Sequence, residues 1–321
     1  MLRAMMWMVV FAAAAWGSAA LAQNYPARPI KLLVGFTPGG GVDINGRLLA
    51  RKLSELLGQQ VVVENRPGAG TNIANELVAK AAPDGYTLLI NTAAVAINMS
   101  LYKNLPFDTL RDFAPVSVFS ESQNFLVVNA QAPFRSAGDV IAAARARPGA
   151  LNYASAGSGT TQHLAAELFK LRTRTDIVHV PYKGSAPALT ALVAGDVDMV
   201  FINVPSILQY VKSGRLRAVA AAGAKRSDML PEVPTLKEAG VEGVEVVVWY
   251  GVLAPAGTPR EIISVLASAI ARAAWSPDVK QRLLEQGSEP VGNTPEEFGV
   301  LLRDEVAKWG EVVKAAGMRA E

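Results

Sequence analysis

Two glycine-rich segments carry the residues best suited to holding an anion. The first is Phe36-Thr37-Pro38-Gly39-Gly40-Gly41-Val42-Asp43, after the apolar run 30–35, and the second is Ala154-Ser155-Ala156-Gly157-Ser158-Gly159-Thr160-Thr161. Each is typical of a turn between a strand and a helix. Glycine lets backbone N–H groups approach a bound group closely, and a helix start carries partial positive charge. Together the two turns predict a two-sided clamp for a carboxylate or a phosphate.

Polar side chains accompany both turns. Ser155, Ser158, Thr160 and Thr161 offer hydroxyl donors in the second turn, and Asp43 lies near the start of the helix after the first. Asp43 could cap that helix, fix the loop or accept a hydrogen bond from a ligand amine. Taken singly, each segment is equally typical of an ordinary tight turn between a strand and a helix.

Neither segment matches a nucleotide-binding loop. A Walker A motif needs a lysine followed by serine or threonine, and no lysine follows Gly41. In the second segment, Gln162 stands where a dinucleotide fingerprint has its third glycine. We therefore expect no nucleotide cofactor.

The side chains that usually carry catalysis or metals are sparse. The two histidines, His163 and His179, have no second histidine or cysteine at ligand spacing. The chain contains no Gly-x-Ser-x-Gly elbow, and no His–Asp pair can be assigned from spacing. Tyr182 and Lys183, at a predicted strand exit, could face a cleft or simply lie on the surface. We predict no catalytic residue, no metal and no cofactor, and therefore a protein that is not an enzyme.

Composition narrows the class of protein and of partner. The chain has 321 residues, of which 50% are hydrophobic, and it has no cysteine, so large cores rather than disulfides must stabilise it. The formal net charge of +3 is small, and the basic residues are scattered. Nucleic acid is therefore a poor candidate partner.

The first 22 residues have the pattern of a secretory signal. Arg3 supplies a positive charge, residues 5–15 are apolar, and Ala20-Leu21-Ala22 fits a cleavage site before Gln23. The apolar run is too short to span a bilayer as an anchor. We predict export to the periplasm with cleavage near Ala22.

Beyond this leader, apolar strand-like runs alternate with amphipathic helical patterns. This alternation predicts an α/β fold of mostly parallel sheets flanked by helices. The predicted strands are 30–36, 61–64, 87–91, 116–119, 125–129, 152–155, 177–180, 199–203, 216–221 and 246–253. The predicted helices are 44–57, 137–146, 161–171, 186–194, 261–274, 277–286 and 295–316.

The length suits two lobes, yet no linker separates them. We therefore expect strands that cross between the lobes and act as a hinge, near 125–129 and 249–253. This places lobe 1 at 23–124 with 250–321, and lobe 2 at 125–249.

Several segments resemble the Bug family, the periplasmic receptors of tripartite tricarboxylate transporters. They include Glu64-Asn65-Arg66-Pro67-Gly68-Ala69-Gly70 and Val180-Pro181-Tyr182-Lys183-Gly184. The full set, in order over almost the whole predicted mature chain, is 30–47, 64–70, 84–89, 153–160, 180–184, 214–218, 231–240 and 254–259.

The resemblance implies a two-lobed, Venus-flytrap binding protein of the type II-like class. It would capture a small carboxylate as a monomer and present it transiently to the membrane subunits of a tripartite tricarboxylate transporter. The ligand-binding residues implied are Thr37, Gly39, Gly40, Asp43, Asn91, Ser155, Gly159, Thr160, Thr161 and Asn203.

The chain departs from the family pattern at three places where relatives often carry polar residues. It has Ala94-Val95 after the strand 87–91, Ile202 before Asn203, and Val42 before Asp43. If these residues line the cleft, a second carboxylate or an amine on the ligand is harder to satisfy. This favours a ligand with one carboxylate and a more apolar or aromatic body.

Two other functions stay open. A binding protein of this kind could present its closed form to a membrane sensor without any transport. An exported α/β hydrolase is the remaining alternative, and it would need a nucleophile with a positioned base.

Overall fold

The computed structural model describes residues 25–318, which form an α/β fold around one curled ten-stranded mixed sheet. The predicted leader, 1–22, lies outside the described residues. The strands are β1 (Ile30–Val34), β2 (Val61–Asn65), β3 (Thr87–Asn91), β4 (Phe113–Asn129), β5 (Asn152–Ser155), β6 (Val178–Pro181), β7 (Met199–Asn203), β8 (Leu216–Ala221), β9 (Val247–Pro255) and β10 (Ser288–Pro290).

The helices follow the strands in the alternation that the sequence predicts. They are α1 (Gly41–Leu57), α2 (Asn72–Ala79), α3 (Ala94–Leu101), α4 (Ala137–Ala146), α5 (Thr161–Thr173), α6 (Ser185–Ala194), α7 (Val204–Lys212), α8 (Arg260–Trp275), α9 (Pro277–Glu285) and α10 (Pro295–Ala315). A short 3-10 turn, Ala69–Thr71, precedes α2. In the part of the chain that is described, no single helix is long and apolar enough to cross a membrane. Helices α8 and α9 taken together reach that length and composition, but the chain bends by 64° between them.

The strand order is β2-β1-β3-β9-β4-β7-β5-β6, with β8 and β10 also paired to β4. The strands β2, β1 and β3 run parallel, as do β6, β5 and β7. The long strands β4 and β9 run antiparallel to their neighbours and to each other. The molecule therefore has two parallel halves joined through antiparallel strands, which is the two-lobed architecture expected of a periplasmic binding protein.

The predicted strands 116–119 and 125–129 are one continuous strand, so their separation in the sequence analysis is wrong. β4 is 17 residues long, and its polar middle is held extended by β9 on one side and β10 on the other. Its partner changes from β9 at Gln123 to β7 at Asn124. β4 thus crosses from one half to the other. The exact lobe boundaries, 23–124 with 250–321 and 125–249, stay a prediction.

Three clusters of buried apolar residues hold the two halves. One lies among β1, α1 and α8 and includes Leu32, Leu49 and Ile270. Another lies among β4, α6 and α7. The third contains residues of both halves, from Phe201 on β7 to Phe298 on α10. Burial of apolar surface at roughly 25 cal/mol per Å² makes these clusters the main source of stability.

Candidate functional site

Both glycine-rich turns lead into helices whose first residues face one small cavity. Gly40 precedes α1 and Thr160 precedes α5. Two further helices begin at the same place: Ser185 is the first residue of α6, and Asn203 caps α7. The fold thus brings four helix N-termini to a single point.

The cavity itself has a volume of about 10 Å³, which is room for about one water molecule. Among the described residues that line it, none carries a charged side chain. The lining residues are Phe36, Gly40, Gly41, Val42, Thr92, Ala156, Thr160, Thr161, Gln162, Ser185, Asn203 and Val248.

Backbone N–H groups are the main donors that this arrangement provides. The first N–H groups of a helix have no partner within it. In α1 no side chain caps them, which leaves the N–H groups of Gly41 and Val42 at the cavity. In α5 the Thr160 hydroxyl accepts from His163 N–H, and the N–H groups of Thr161 and Gln162 remain. Together with the helix dipoles, these donors make the cavity suited to an anion.

Asp43 fixes the first turn. It is only 3% exposed, and its carboxylate accepts from Gly39 N–H at 2.9 Å, from Asn65 Nδ2 at 2.9 Å and from Arg47 Nε at 3.0 Å. Burial acts to raise the pKa of Asp43, but these hydrogen bonds and the Arg47 charge outweigh it, so the pKa lies below its ordinary value. Asp43 therefore holds the loop, one of the roles that the sequence left open.

The second turn is held by histidines. Gly159 N–H donates to Nδ1 of His163 at 3.2 Å, and Gly157 N–H donates to the Ser155 hydroxyl at 3.1 Å. That hydroxyl lies 2.7 Å from Nε2 of His179. The N–H of Gly159, like that of Gly39, is therefore engaged inside its own turn.

The two histidine rings stack face to face, with centroids 4.0 Å apart. Burial, together with the nearby Lys170 charge, lowers the pKa of His163 to about 4. Burial, followed by the neighbouring His163, lowers the pKa of His179 to about 3. Both rings are consequently neutral at physiological pH, as the acceptor role of His163 requires.

Gln162 is a site residue that the sequence reasoning missed. Its Oε1 accepts from Ala156 N–H at 2.8 Å, and its Nε2 donates to the Ser185 hydroxyl at 2.7 Å. It thereby ties the second turn to the start of α6. Its position, where a dinucleotide fingerprint would have a glycine, was the available signal.

The structure places the predicted ligand-binding residues in three environments. Four of them line the cavity: Gly40, Thr160, Thr161 and Asn203. Another five belong to the two turns beside it: Thr37, Gly39, Asp43, Ser155 and Gly159. Asn91 instead lies in a buried network, where its Nδ2 donates to Thr71 Oγ1 and Asn75 Oδ1. The structure does not bring Asn91 to the cavity.

The three apolar departures from the family pattern have different surroundings. Ala94, Val95 and Ile202 are fully buried, each in a hydrophobic cluster, and none lines the cavity. Val42 does line it. The expectation that Ala94, Val95 and Ile202 shape the ligand pocket therefore has no support in this arrangement.

The two halves touch closely around the cavity. A Cβ placed on Gly41 would lie 2.6 Å from Asn203 Oδ1, and one on Gly40 would lie 3.4 Å from the Ser185 Cβ. Next to these contacts, Gly184 packs against Thr37. The first turn is thus closed against α6 and α7 in this structure.

A larger cavity of about 330 Å³ lies elsewhere, lined by residues that include Gln123 and Met229. Its lining carries both signs of charge, with Lys225 and Arg226 beside Glu121, Asp228 and Glu289. Both basic side chains are already paired, Lys225 with Glu289 and Arg226 with Glu238, so neither offers an unpaired positive charge to an anion. The small cavity has the N–H donors that an anion needs, whereas the large cavity has room for a ligand. We assign the site to the small cavity, because closure of the two halves accounts for its size. No group of three or more metal-ligating side chains is found within residues 25–318.

Known proteins share this sequence and fold. A family model described as the tripartite tricarboxylate transporter family receptor matches residues 46–318. Protein BugT of Bordetella pertussis is 41% identical over 300 residues, which are 93% of this chain and 92% of BugT. A structure of R. palustris Rpa4515 with adipate is 40% identical, with a TM-score of 0.89 over 92% of this chain and 100% of that chain. A structure of the periplasmic binding protein BugD is 31% identical, with a TM-score of 0.89 over the same shares.

Proposed function

This chain belongs to the tripartite tricarboxylate transporter receptor family, and we propose that it is a periplasmic receptor that binds a small carboxylate. In this proposal the carboxylate occupies the cavity at the starts of α1, α5, α6 and α7. The loaded receptor then delivers it to the membrane subunits of a tripartite transporter.

The observation that carries the proposal is the convergence of four helix N-termini on a cavity lined by no charged side chain. Such a site favours an anion through fixed dipoles and N–H donors. The Ser155 hydroxyl and His179 are hydrogen-bonded to each other at 2.7 Å, but neither lines the cavity, which supports binding without turnover. A ligand recovered unchanged after long incubation, as judged by mass spectrometry, is the expected result.

The small volume of the cavity supports a receptor that opens and closes. A cavity of about 10 Å³ is far smaller than any carboxylate, so the halves must separate to admit one. Because a related structure carries adipate, we take adipate as the first probe. The proposal does not limit the ligand to a single carboxylate, since Ala94, Val95 and Ile202 lie away from the cavity.

The backbone donors can be tested one at a time at Thr161. Proline is tolerated at the first position of a helix, and Thr160 has the extended conformation (ψ 158°) that a following proline needs. Thr161→Pro therefore removes one N–H while keeping the helix. Thr161→Val removes only the hydroxyl and is the matched control.

Calorimetry with adipate should show weaker binding for Thr161→Pro by about ten- to a hundredfold, the value of a charge-assisted hydrogen bond of about 1.5–3 kcal/mol. Thr161→Val should lose less affinity for adipate than Thr161→Pro. Lys183, which is exposed, tests the alternative that a side-chain charge holds the anion. If Lys183→Ala abolishes binding while Thr161→Pro is tolerated, a side-chain charge holds the anion and the proposed site is wrong.

A further inference from the structure

One face of the paired strands β4 and β7 runs towards the cavity. On it, Val128 pairs with Met199 and Leu126 pairs with Phe201, and all four side chains are buried in the same apolar cluster. The next pair along this face is Asn124 with Asn203. The apolar row therefore ends in two amides, at the point where β4 crosses between the halves.

The two amides differ in how they are satisfied. Asn203 lines the cavity, and its Oδ1 accepts from the N–H and the hydroxyl of Ser206. Asn124 is fully buried, and neither its Oδ1 nor its Nδ2 has a hydrogen-bond partner among residues 25–318. Buried polar groups in proteins are rarely left in this state, because the lost hydration is not replaced.

Position, rather than residue type, explains this difference along β4. Asn129, at the other end of the same stretch, donates through Nδ2 to the carbonyl groups of Leu192 and Val193, and its Oδ1 accepts from Gln131 N–H. The same strand thus contains an asparagine, Asn129, whose side-chain amide is fully hydrogen-bonded. The unsatisfied one lies opposite Asn203, which already faces the cavity.

Resting on the proposed function, we infer that Asn124 is a specificity-determining residue that receives a second polar group of the ligand. The carboxylate binds at the helix N-termini, and the far end of the ligand reaches the Asn124–Asn203 pair. Cross-strand partners share a face and lie about 5 Å apart, so one group can contact both amides.

The free atoms of Asn124 define the chemistry of that second group. Nδ2 donates and Oδ1 accepts, so a hydroxyl, which does both, satisfies the whole amide. A second carboxylate satisfies only Nδ2. The ligand class is therefore a small carboxylate bearing a hydroxyl or a second carboxylate at its other end.

Three six-carbon probes share one carboxylate and differ only at the far end: hexanoate, 6-hydroxyhexanoate and adipate. We expect the unaltered protein to bind 6-hydroxyhexanoate and adipate about tenfold more tightly than hexanoate, about the value of one hydrogen bond. Asn124→Leu should bring the three affinities together while leaving that for hexanoate within about threefold.

Thermal unfolding supplies a second readout. Asn124→Leu removes an unsatisfied amide without a large change of volume, so the unliganded Tm should stay equal or rise. Asn129→Leu, the matched control, removes a satisfied amide and should lower Tm while leaving the preference among the probes unchanged. Asn124→Ala repeats the binding test with a smaller side chain.

The outcomes separate the two ideas. Equal binding of all three probes by the unaltered protein, or an unchanged preference in both Asn124 variants, overturns the inference while the proposed function stands. A lowered Tm with an unchanged preference means that Asn124 serves a buried water only. Binding of none of the three probes overturns the proposed function and the inference with it.

Discussion

Asp43 shows how one buried charge can shape an anion site without touching the anion. Its carboxylate takes the Gly39 N–H and so turns the loop, which leaves the later N–H groups of Gly41 and Val42 free for the cavity. A charge in this position costs desolvation, and three surrounding donors offset it. The residue thus acts on the ligand through the backbone.

Replacing Asp43 with asparagine tests this role. Asp43→Asn keeps one acceptor oxygen but loses the charge facing Arg47, and we expect a loss of about 1–3 kcal/mol in the free energy of unfolding. Arg47→Met should cost less, because the Gly39 and Asn65 bonds remain. Urea unfolding measures both, and equal stability of Asp43→Asn and the unaltered protein would contradict the assignment.

The histidine pair predicts a pH dependence of stability. The folded pKa values, about 4 for His163 and about 3 for His179, lie below the ordinary value near 6.5. The unfolded chain therefore binds more protons in that interval. The stability contributed by the neutral pair is complete above about pH 6.5 and is lost as pH falls towards 4 and then 3.

The Tm of the unaltered protein should accordingly fall as the pH is lowered from 7 to 4. His163→Asn keeps an acceptor for Gly159 N–H but cannot titrate, so its Tm should fall less steeply. Identical slopes for the two proteins would show that the pair does not set the acid sensitivity.

The sequence could predict the turns, but not what holds them. Gly40, Thr160 and Thr161 follow from the local pattern of strand, glycines and helix start, because such a pattern acts over a few residues. His163 and His179 are on different elements, and only the packing of α5 against β6 brings their rings together. Asn91 lies at the expected strand end, but its partners Thr71 and Asn75 come from a segment that the sequence did not identify as helical.

At the scale of the elements, the sequence analysis missed three short helices, α2, α3 and α7, and α3 is the one with neither a polar face nor a side-chain cap. α3 is almost entirely buried and has no side-chain cap, so no amphipathic period marks it. β10 has only three residues. In contrast, the boundaries of β3, β7 and β8 match the predicted strands, because each is a short, largely apolar run with clear flanks, and the boundaries of the more polar β5 match as well.

The last helix, α10, is anchored by a buried carboxylate. Glu305 Oε2 accepts from Trp309 Nε1 at 2.6 Å and from Trp249 Nε1 on β9 at 3.4 Å. This ties the C-terminal helix to a strand next to the crossing. The sequence predicted the helix, but the contact to residue 249 is a matter of tertiary packing.

Replacing Glu305 with alanine should destabilise the protein by about 1–3 kcal/mol for each indole N–H left buried without an acceptor. Glu305→Gln keeps an acceptor oxygen at the same place and should lose much less. Chemical denaturation followed by tryptophan fluorescence distinguishes them. Equal losses for the two variants would mean that packing, rather than these hydrogen bonds, anchors α10.

At the scale of the whole molecule, glycines bring the two halves close together beside the cavity. Gly184, just before α6, packs against Thr37 in the first turn, and Gly70 packs against the Ser158 carbonyl in the second. Each contact joins residues that lie on opposite sides of the crossing. Small residues at these points let the halves come close enough to shrink the cavity to about 10 Å³.

Export to the periplasm is also a property of the whole molecule, and the predicted leader makes it testable. Protein recovered from the periplasm should begin at Gln23 or within a residue or two, as N-terminal sequencing would determine. Full-length protein retained in the inner membrane would contradict the predicted leader.

A single methyl group at Gly184 should keep the molecule from closing. The added Cβ would meet the Thr37 hydroxyl, and it would also lie 3.1 Å from the Thr37 nitrogen, so the first turn must retreat. Gly195→Ala is the matched control: Gly195 also has a positive φ, but nothing lies within 4 Å of its added Cβ. Both variants should lose a little stability, because alanine disfavours positive φ. Only Gly184→Ala should bind adipate more weakly and keep a larger radius of gyration in small-angle scattering at saturating adipate, because the closed form is the one that contacts the ligand from both halves. A Gly184→Ala protein that compacts and binds like the Gly195→Ala control would show that closure does not pass through this contact.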